Sequence, residues 1–380
     1  MDTIASLHKR EYQEDPLIIV SAPGQVNLMG EKNEFADALV MGMALDKRLS
    51  MSLSLSSENS LYLFSSTLGE RKRVNLSTLK YKREDRWANY FKGIIVAFQQ
   101  MGAEPAGVNV TIGGDLPAGI GLGSSSAMQV AFAYALNELF DCGFSLIQLA
   151  DIARLADYQF LKDDSGIASP LISCLGEEDQ ILLIDTKDLT SEKTAYALED
   201  YSLIITDSHV PFHLDKDDII DFRREYSGAS DIVRRNKLGT SVRDLTGRNI
   251  AQSVEILSED SRRYCLHLVE ENQRVLDMKE ALSRGDGEQI SRLFIRSHES
   301  MRDLLEITCP ELDWLVKRVQ ELSPLSGSRM FGPGFGGCTI SLIHDKNIPK
   351  YEEILDEYER IFGFKAHYFV CRPSAGVRKE

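Results

Sequence analysis

Three glycine-bearing segments carry residue types that bind phosphate. The first is Pro23-Gly24-Gln25-Val26-Asn27-Leu28-Met29-Gly30-Glu31, the second Leu116-Pro117-Ala118-Gly119-Ile120-Gly121-Leu122-Gly123-Ser124-Ser125-Ser126-Ala127, and the third Gly332-Pro333-Gly334-Phe335-Gly336-Gly337-Cys338. In the second, Gly119, Gly121 and Gly123 let backbone N–H groups come close to phosphate oxygens. Ser124, Ser125 and Ser126 then open a helix whose positive end favours an anion. One of the three hydroxyls, with Ser125 expected, reaches a magnesium ion bridging the phosphates. The competing reading is a mobile glycine turn capped by serine. No Gly-Lys-Ser/Thr follows, so this is not a Walker A loop, and it does not spell the dinucleotide GxGxxG fingerprint.

These segments need elements to hold them. Residues 17–22 form an apolar run of strand length that ends at Pro23 and Gly24. Residues 49–56 alternate strictly, which predicts a half-buried strand with Leu49, Met51, Leu53 and Leu55 on one face. Residues 61–64 and 72–75 read as further strands of an antiparallel meander. A helix over 87–101 places Tyr90, Phe91, Ile94, Ile95 and Phe98 on its apolar side. Val108 to Ile112 is a strand feeding the second glycine segment, followed by helices over 127–140 and 145–162. A second half starts near Asp200. It holds a strand over 201–206, helices over 216–237, 261–283, 286–304 and 310–322, a strand over 338–343, a helix over 350–361 and a strand over 366–371. The mixture predicts an α+β chain in two domains, 1–199 and 200–380.

Composition excludes several classes. The 380 residues are long enough for a large core, and 43% hydrophobic with 27% charged residues is ordinary for a globular protein. A net charge of -15 argues against a nucleic-acid partner, which needs a basic surface. The six cysteines are scattered with no CxxC pair, so neither a zinc site nor a disulfide framework is expected. They read as reduced thiols of a cytoplasmic protein. The charged start lacks the apolar core of a signal peptide, and no run approaches a membrane span.

Taken together, the motifs resemble the GHMP kinases. The local spelling of the second glycine segment is most similar to mevalonate kinase, but the rest resembles galactokinase: Gly24 to Phe35, Arg86-Trp87-Ala88-Asn89-Tyr90-Phe91-Lys92-Gly93, Gly166-Ile167-Ala168-Ser169-Pro170, Ser297 to Asp303, Cys309 to Asp313, Arg329 to Thr339, and Tyr368 to Gly376. The resemblance implies a two-domain GHMP-kinase fold, with an S5-like N-terminal domain, a ferredoxin-like C-terminal domain and a cleft between them. It also implies ATP and Mg²⁺ as cofactors and a sugar or sugar-like ligand. Gly119, Gly121, Gly123 and the three serines would hold phosphate and metal. Trp87 and Tyr90 would meet adenine, or else be core aromatics of one helix. Glu31, Lys32, Glu34 and Gly166 would line the sugar. Asp157 stands where the family carries a magnesium-facing Glu, and reads either as a metal ligand or as an exposed helix Asp.

The departures sit at the reacting centre. Where galactokinases place an Asp beside the attacking hydroxyl this chain has Ser169, and where they place a nearby Arg it has Gln25. Loss of both charges together leaves a neutral site capable of hydrogen bonding. Lys32 stands where an imidazole is usual, and the family's sugar-contacting Tyr has no counterpart in Asp217-Asp218-Ile219-Ile220. Asp163 and Asp164 read as a substitute carboxylate or as a solvated turn. His209, His213 and His298 read as structural, with His298 at the domain junction. Three expectations follow: a kinase of galactose or a related sugar, a pseudokinase acting as a sugar or nucleotide sensor or scaffold, and a kinase for an amino or acidic sugar matched to Lys32.

Overall fold

The computed structural model describes residues 3–163, 166–196, 198–210, 221–253, 255–332 and 334–380. Asp164, His213, the 217–220 stretch and the start of the helix expected over 216–237 lie outside the described residues, as does Pro333 of the third glycine segment. The strands are β1 (Ile18–Met29), β2 (Leu39–Leu55), β3 (Ser60–Ser65), β4 (Glu70–Asn75), β5 (Val108–Gly114), β6 (Gln180–Asp185), β7 (Thr190–Ala195), β8 (Tyr201–Asp207), β9 (Gly327–Phe331), β10 (Cys338–His344), β11 (His367–Cys371) and β12 (Arg378–Lys379). The helices are α1 (Ile4–Tyr12), α2 (Ala88–Gln100), α3 (Ser124–Leu139), α4 (Leu146–Leu155), α5 (Ala168–Leu175), α6 (Phe222–Arg235), α7 (Gly247–Gln252), α8 (Glu259–Arg284), α9 (Gly287–Ser300), α10 (Pro310–Leu322) and α11 (Ile348–Phe362).

The chain divides into two compact units, one of Met1–Val26, Ala44–Glu178 and Pro373–Glu380, the other of Asn27–Met43 and Asp179–Arg372. The units are discontinuous, unlike the division at 199/200 read from chain order. Residues Asn27–Met43 belong with the second because their backbone is anchored there: the Gly30 N–H donates to Glu271 and the Leu39 N–H to Asn272.

In the first unit the sheet runs β12-β1-β2-β5-β3-β4. β3 pairs antiparallel with β4 but parallel with β5, so the expected meander is half right. The intervening α2 is the crossover that a parallel pair requires. Met51 and Leu53 are fully buried as the alternation predicts, but Ser52 and Ser54 are buried too, and Leu55 is exposed. The reason is α1, which the sequence reading missed. It covers the serine face, with His8 bonded to Ser54 at 3.0 Å and Thr111 at 3.1 Å. β1 also continues past Pro23 and Gly24 to Met29. Phe91 of α2 packs on Phe132 of α3, ring centroids 4.7 Å apart, at the centre of the helical layer.

In the second unit β6 pairs with Leu39–Gly42 of β2 and with β7. A separate antiparallel sheet has the order β11-β8-β10-β9. Its connections, β8, helices, β9, β10, α11, β11, give the ferredoxin-like arrangement. Its core joins Ala36 and Ala38 to Tyr226, Leu268, Met301, Leu312, Met330 and Tyr358.

Candidate active site

In the first unit, β1 serves as the mount. The Gln25 N–H donates to the Leu122 carbonyl at 3.0 Å, which ties the glycine loop to the strand. The Ser173 hydroxyl donates to the Pro23 carbonyl at 3.0 Å, which ties α5 to the same strand two residues earlier. The Gln25 side chain then completes the link: its Nε2 donates to Ser169 Oγ at 2.6 Å. Two positions 144 residues apart in sequence therefore meet as a neutral hydrogen-bonded pair.

Gly123 fixes where the loop ends. Its φ is +65°, which favours glycine, and a Cβ there would lie 2.9 Å from Gln25 Nε2, so any other residue would displace the Gln25 amide. Gly123 is also the N-cap of α3 and supplies no capping side chain, so the first amides of Ser124, Ser125 and Ser126 lack the usual local acceptor. Ser126 is buried and the other two serines are half-buried. Such a set of N–H groups accommodates an anion. Gly119 stands in open space and Gly166 is buried with positive φ.

Asp157 falls in a π-helical turn after α4 and is only 3% exposed, which corrects the exposed-helix alternative. Gln129 of α3 donates to its Oδ1 at 2.6 Å. Tyr90 is half-buried, and its hydroxyl pKa is raised by burial and by the neighbouring Asp157 and Asp163 carboxylates. Trp87 precedes α2, half-buried, with its indole N–H on Glu70 at 2.9 Å. Neither aromatic is a fully buried core residue. Asp163 is exposed. Among the described residues no group of three His, Cys, Asp or Glu is placed to hold a metal ion.

A second constellation lies in the other unit, around the turn that follows β1. Glu31 Oε2 pairs with the Arg329 guanidinium at 2.7 Å, and Arg329, wholly buried, also donates to the carbonyls of Leu28 at 2.8 Å and Asn27 at 3.2 Å. Lys32 adopts φ +66° and donates to the Gly332 carbonyl at 2.9 Å. The structure thus brings the first glycine segment against the third, and Lys32 is engaged in that tie. Glu34 is buried in the same turn. His298 donates to Asp313 at 2.9 Å and accepts from the Met330 N–H, both partners lying in its own unit. His209 sits at φ +54° beside Asp207.

Comparison with known proteins shows the family of the chain. Residues 6–55 match the galactokinase galactose-binding signature, 89–177 the GHMP kinases N-terminal domain, and 278–358 the GHMP kinases C-terminal domain. Galactokinase from Haemophilus influenzae is 34% identical over 98% of this chain and 97% of its own length. The chain belongs to the galactokinase family of GHMP kinases. Galactokinase from Thermotoga petrophila is 32% identical over 95% of this chain and 99% of its own. The crystal structure of Lactococcus lactis galactokinase complexed with galactose superposes with a TM-score of 0.93 at 24% identity, covering 99% of each chain.

Within this galactokinase-family chain, the sequence reading missed a buried ionic cluster beneath the Glu31 turn. Glu271 of α8 is fully buried and accepts from the Gly30 N–H at 2.9 Å, the Ser297 hydroxyl at 2.8 Å and Arg274 Nε at 2.7 Å. Burial alone would raise its pKa, but the Arg274 and Arg329 guanidinium groups outweigh it and hold the carboxyl down to about 2. His267, one turn earlier, is driven by burial down to about 4 and is neutral at pH 7. Its Nε2 faces the Glu31 carbonyl at 3.1 Å and must donate, so Nδ1 accepts from Ser300 at 2.8 Å. The signal was present in the spacing. His267, Glu271 and Arg274 fall on the stripe that carries Leu268, Val275 and Met278, where a solvated helix would keep charge off.

Proposed function

We propose that this chain transfers the γ-phosphoryl group of ATP to a hydroxyl of galactose or a closely related sugar. The observation that carries the reading is the uncapped start of α3 behind the Gly119–Gly123 loop, held by β1 in a chain whose residues 6–55 match the galactose-binding signature. The backbone of Gly119, Gly121 and Gly123 and the amides of Ser124, Ser125 and Ser126 would hold the phosphates. Trp87 and Tyr90 would border the base. Glu31, Lys32, Glu34, Gly166 and Ser169 would line the sugar. Ser125 and Asp157 would hold magnesium, whose charge offsets that of the phosphates. With Gln25 and Ser169 at the reacting centre, neither of these positions supplies a carboxylate to take the proton of the attacking hydroxyl. Phosphoryl transfer tolerates this because its transition state is loose and the nucleophile's proton leaves late. The missing base still costs about 10²–10⁴-fold in rate, so turnover is expected to be slow.

The Gln25–Ser169 bond favours a second reading. It fills both charged positions with neutral groups joined by one hydrogen bond, which suits a pseudokinase that binds nucleotide and sugar as a sensor. An ATP-consumption assay with magnesium over a panel of free sugars, run beside calorimetry of ATP binding, separates the two. Slow consumption with galactose is the expected result. Binding without turnover on any sugar would select the sensor, and absence of ATP binding would overturn both.

A further inference from the structure

The Gln25–Ser169 pair is incomplete as it stands. Gln25 is 6% exposed and its Nε2 is committed to Ser169, but its carbonyl Oε1 is buried with no partner among the described residues. A buried carbonyl oxygen left unpaired is costly, so this atom favours any donor that reaches it, from water or from a ligand. Ser169 Oγ accepts from the amide, so its own proton remains to be donated. The pair therefore offers one acceptor and one donor, with no charge. It sits between two helix starts: Gly123, against the Gln25 amide, is the N-cap of α3, and Ser169 lies in the first turn of α5, which also lacks a side-chain cap. Gln25 falls within the galactose-binding signature and Ser169 within the GHMP kinase N-terminal domain, so the two matched regions meet at this bond.

We infer that Gln25 and Ser169 bind a single sugar hydroxyl by closing a cycle of three hydrogen bonds. The amide N–H donates to Ser169, the Ser169 hydroxyl donates to the sugar oxygen, and the sugar hydroxyl donates to Gln25 Oε1. A hydroxyl fits because, like the water it would displace, it both accepts and donates through one oxygen. A carboxylate offers no proton to Oε1, and an ammonium offers no lone pair to Ser169. This deepens the proposed function and rests on it. The pair is a specificity determinant: neither member titrates near neutral pH, so it orients the hydroxyl without removing its proton.

The test is calorimetric binding of galactose and of its monodeoxy analogues, in the presence of a non-hydrolysable ATP analogue. The unmodified chain, Gln25→Met and Ser169→Ala are compared, with thermal midpoints confirming that each variant is folded. One good hydrogen bond to the sugar corresponds to about tenfold in affinity. Each variant is expected to weaken galactose binding about tenfold while leaving the nucleotide affinity unchanged. One deoxygalactose should bind the unmodified chain about tenfold more weakly, yet show no further loss with either variant. Galactose binding that both variants retain in full overturns the inference and leaves the proposed function standing. Failure of the unmodified chain to bind galactose overturns the two together.

Discussion

The buried His267 makes the second unit sensitive to acid in a way that can be worked out. In the unfolded chain its imidazole takes a proton near 6.5, in the folded chain near 4. Between those values the unfolded chain binds more protons, so stability falls as pH falls, and the full difference is worth about 3 kcal/mol. About 2 kcal/mol of that is lost by pH 5. Glu271 adds nothing in this window, because its stabilisation is lost only as pH drops below the ordinary carboxylate range toward 2. His267→Gln keeps the donor to Glu31 and the acceptor for Ser300 but does not titrate. The chain has two tryptophans, so Trp87→Phe leaves Trp314, in the second unit, as the fluorescent reporter. Urea unfolding in that background should show the midpoint falling by roughly 1 M from pH 7.5 to 5. With His267→Gln added, the midpoint should stay nearly flat. An equally steep fall in the Gln variant would refute the assignment of a neutral, buried His267.

Three further outcomes follow from single contacts. Arg329→Met strands the Glu31 carboxylate and two carbonyls in the core and should cost about 3–5 kcal/mol in urea unfolding at pH 7; a loss below 1 kcal/mol would mean the cluster relaxes around the gap. Gly123→Ala forces a Cβ within 2.9 Å of Gln25 Nε2 at φ +65°, and calorimetry should show ATP affinity reduced more than about tenfold. Gln25→Arg combined with Ser169→Asp should raise galactose turnover by about 10²–10⁴-fold, whereas an unchanged rate would locate the deficit in the altered Glu31–Phe35 turn.

What was legible in the sequence was local. Gly119, Gly121, Gly123 and the three serines lie within eight consecutive residues, and the strand and helix flanking them are set by nearby residues. The amphipathic helices of the second half were visible for the same reason. Strand β2 was read only from residue 49, because Val40 to Leu45 are buried on both faces and show no alternation. Helix α1 was missed because its one fully buried residue is His8, a polar group satisfied by Ser54 and Thr111 from distant strands. The replacement of two charges at Gln25 and Ser169 was legible by resemblance, but the bond between them depends on β1 holding both α5 and the glycine loop. The ionic cluster of Glu31, Glu271, Arg274 and Arg329 draws on residues nearly three hundred positions apart, and only the off-pattern charges on α8 hinted at it.

The most direct test of the account is to follow the γ-phosphoryl group itself. Purified protein, ATP, magnesium and galactose are incubated and monitored by phosphorus NMR. The account predicts slow, stoichiometric growth of a sugar phosphate resonance as the ATP γ signal declines, slowed by Gly123→Ala at sub-saturating ATP. ATP that stays intact with galactose, or that is split to inorganic phosphate with no sugar phosphate formed, would contradict it.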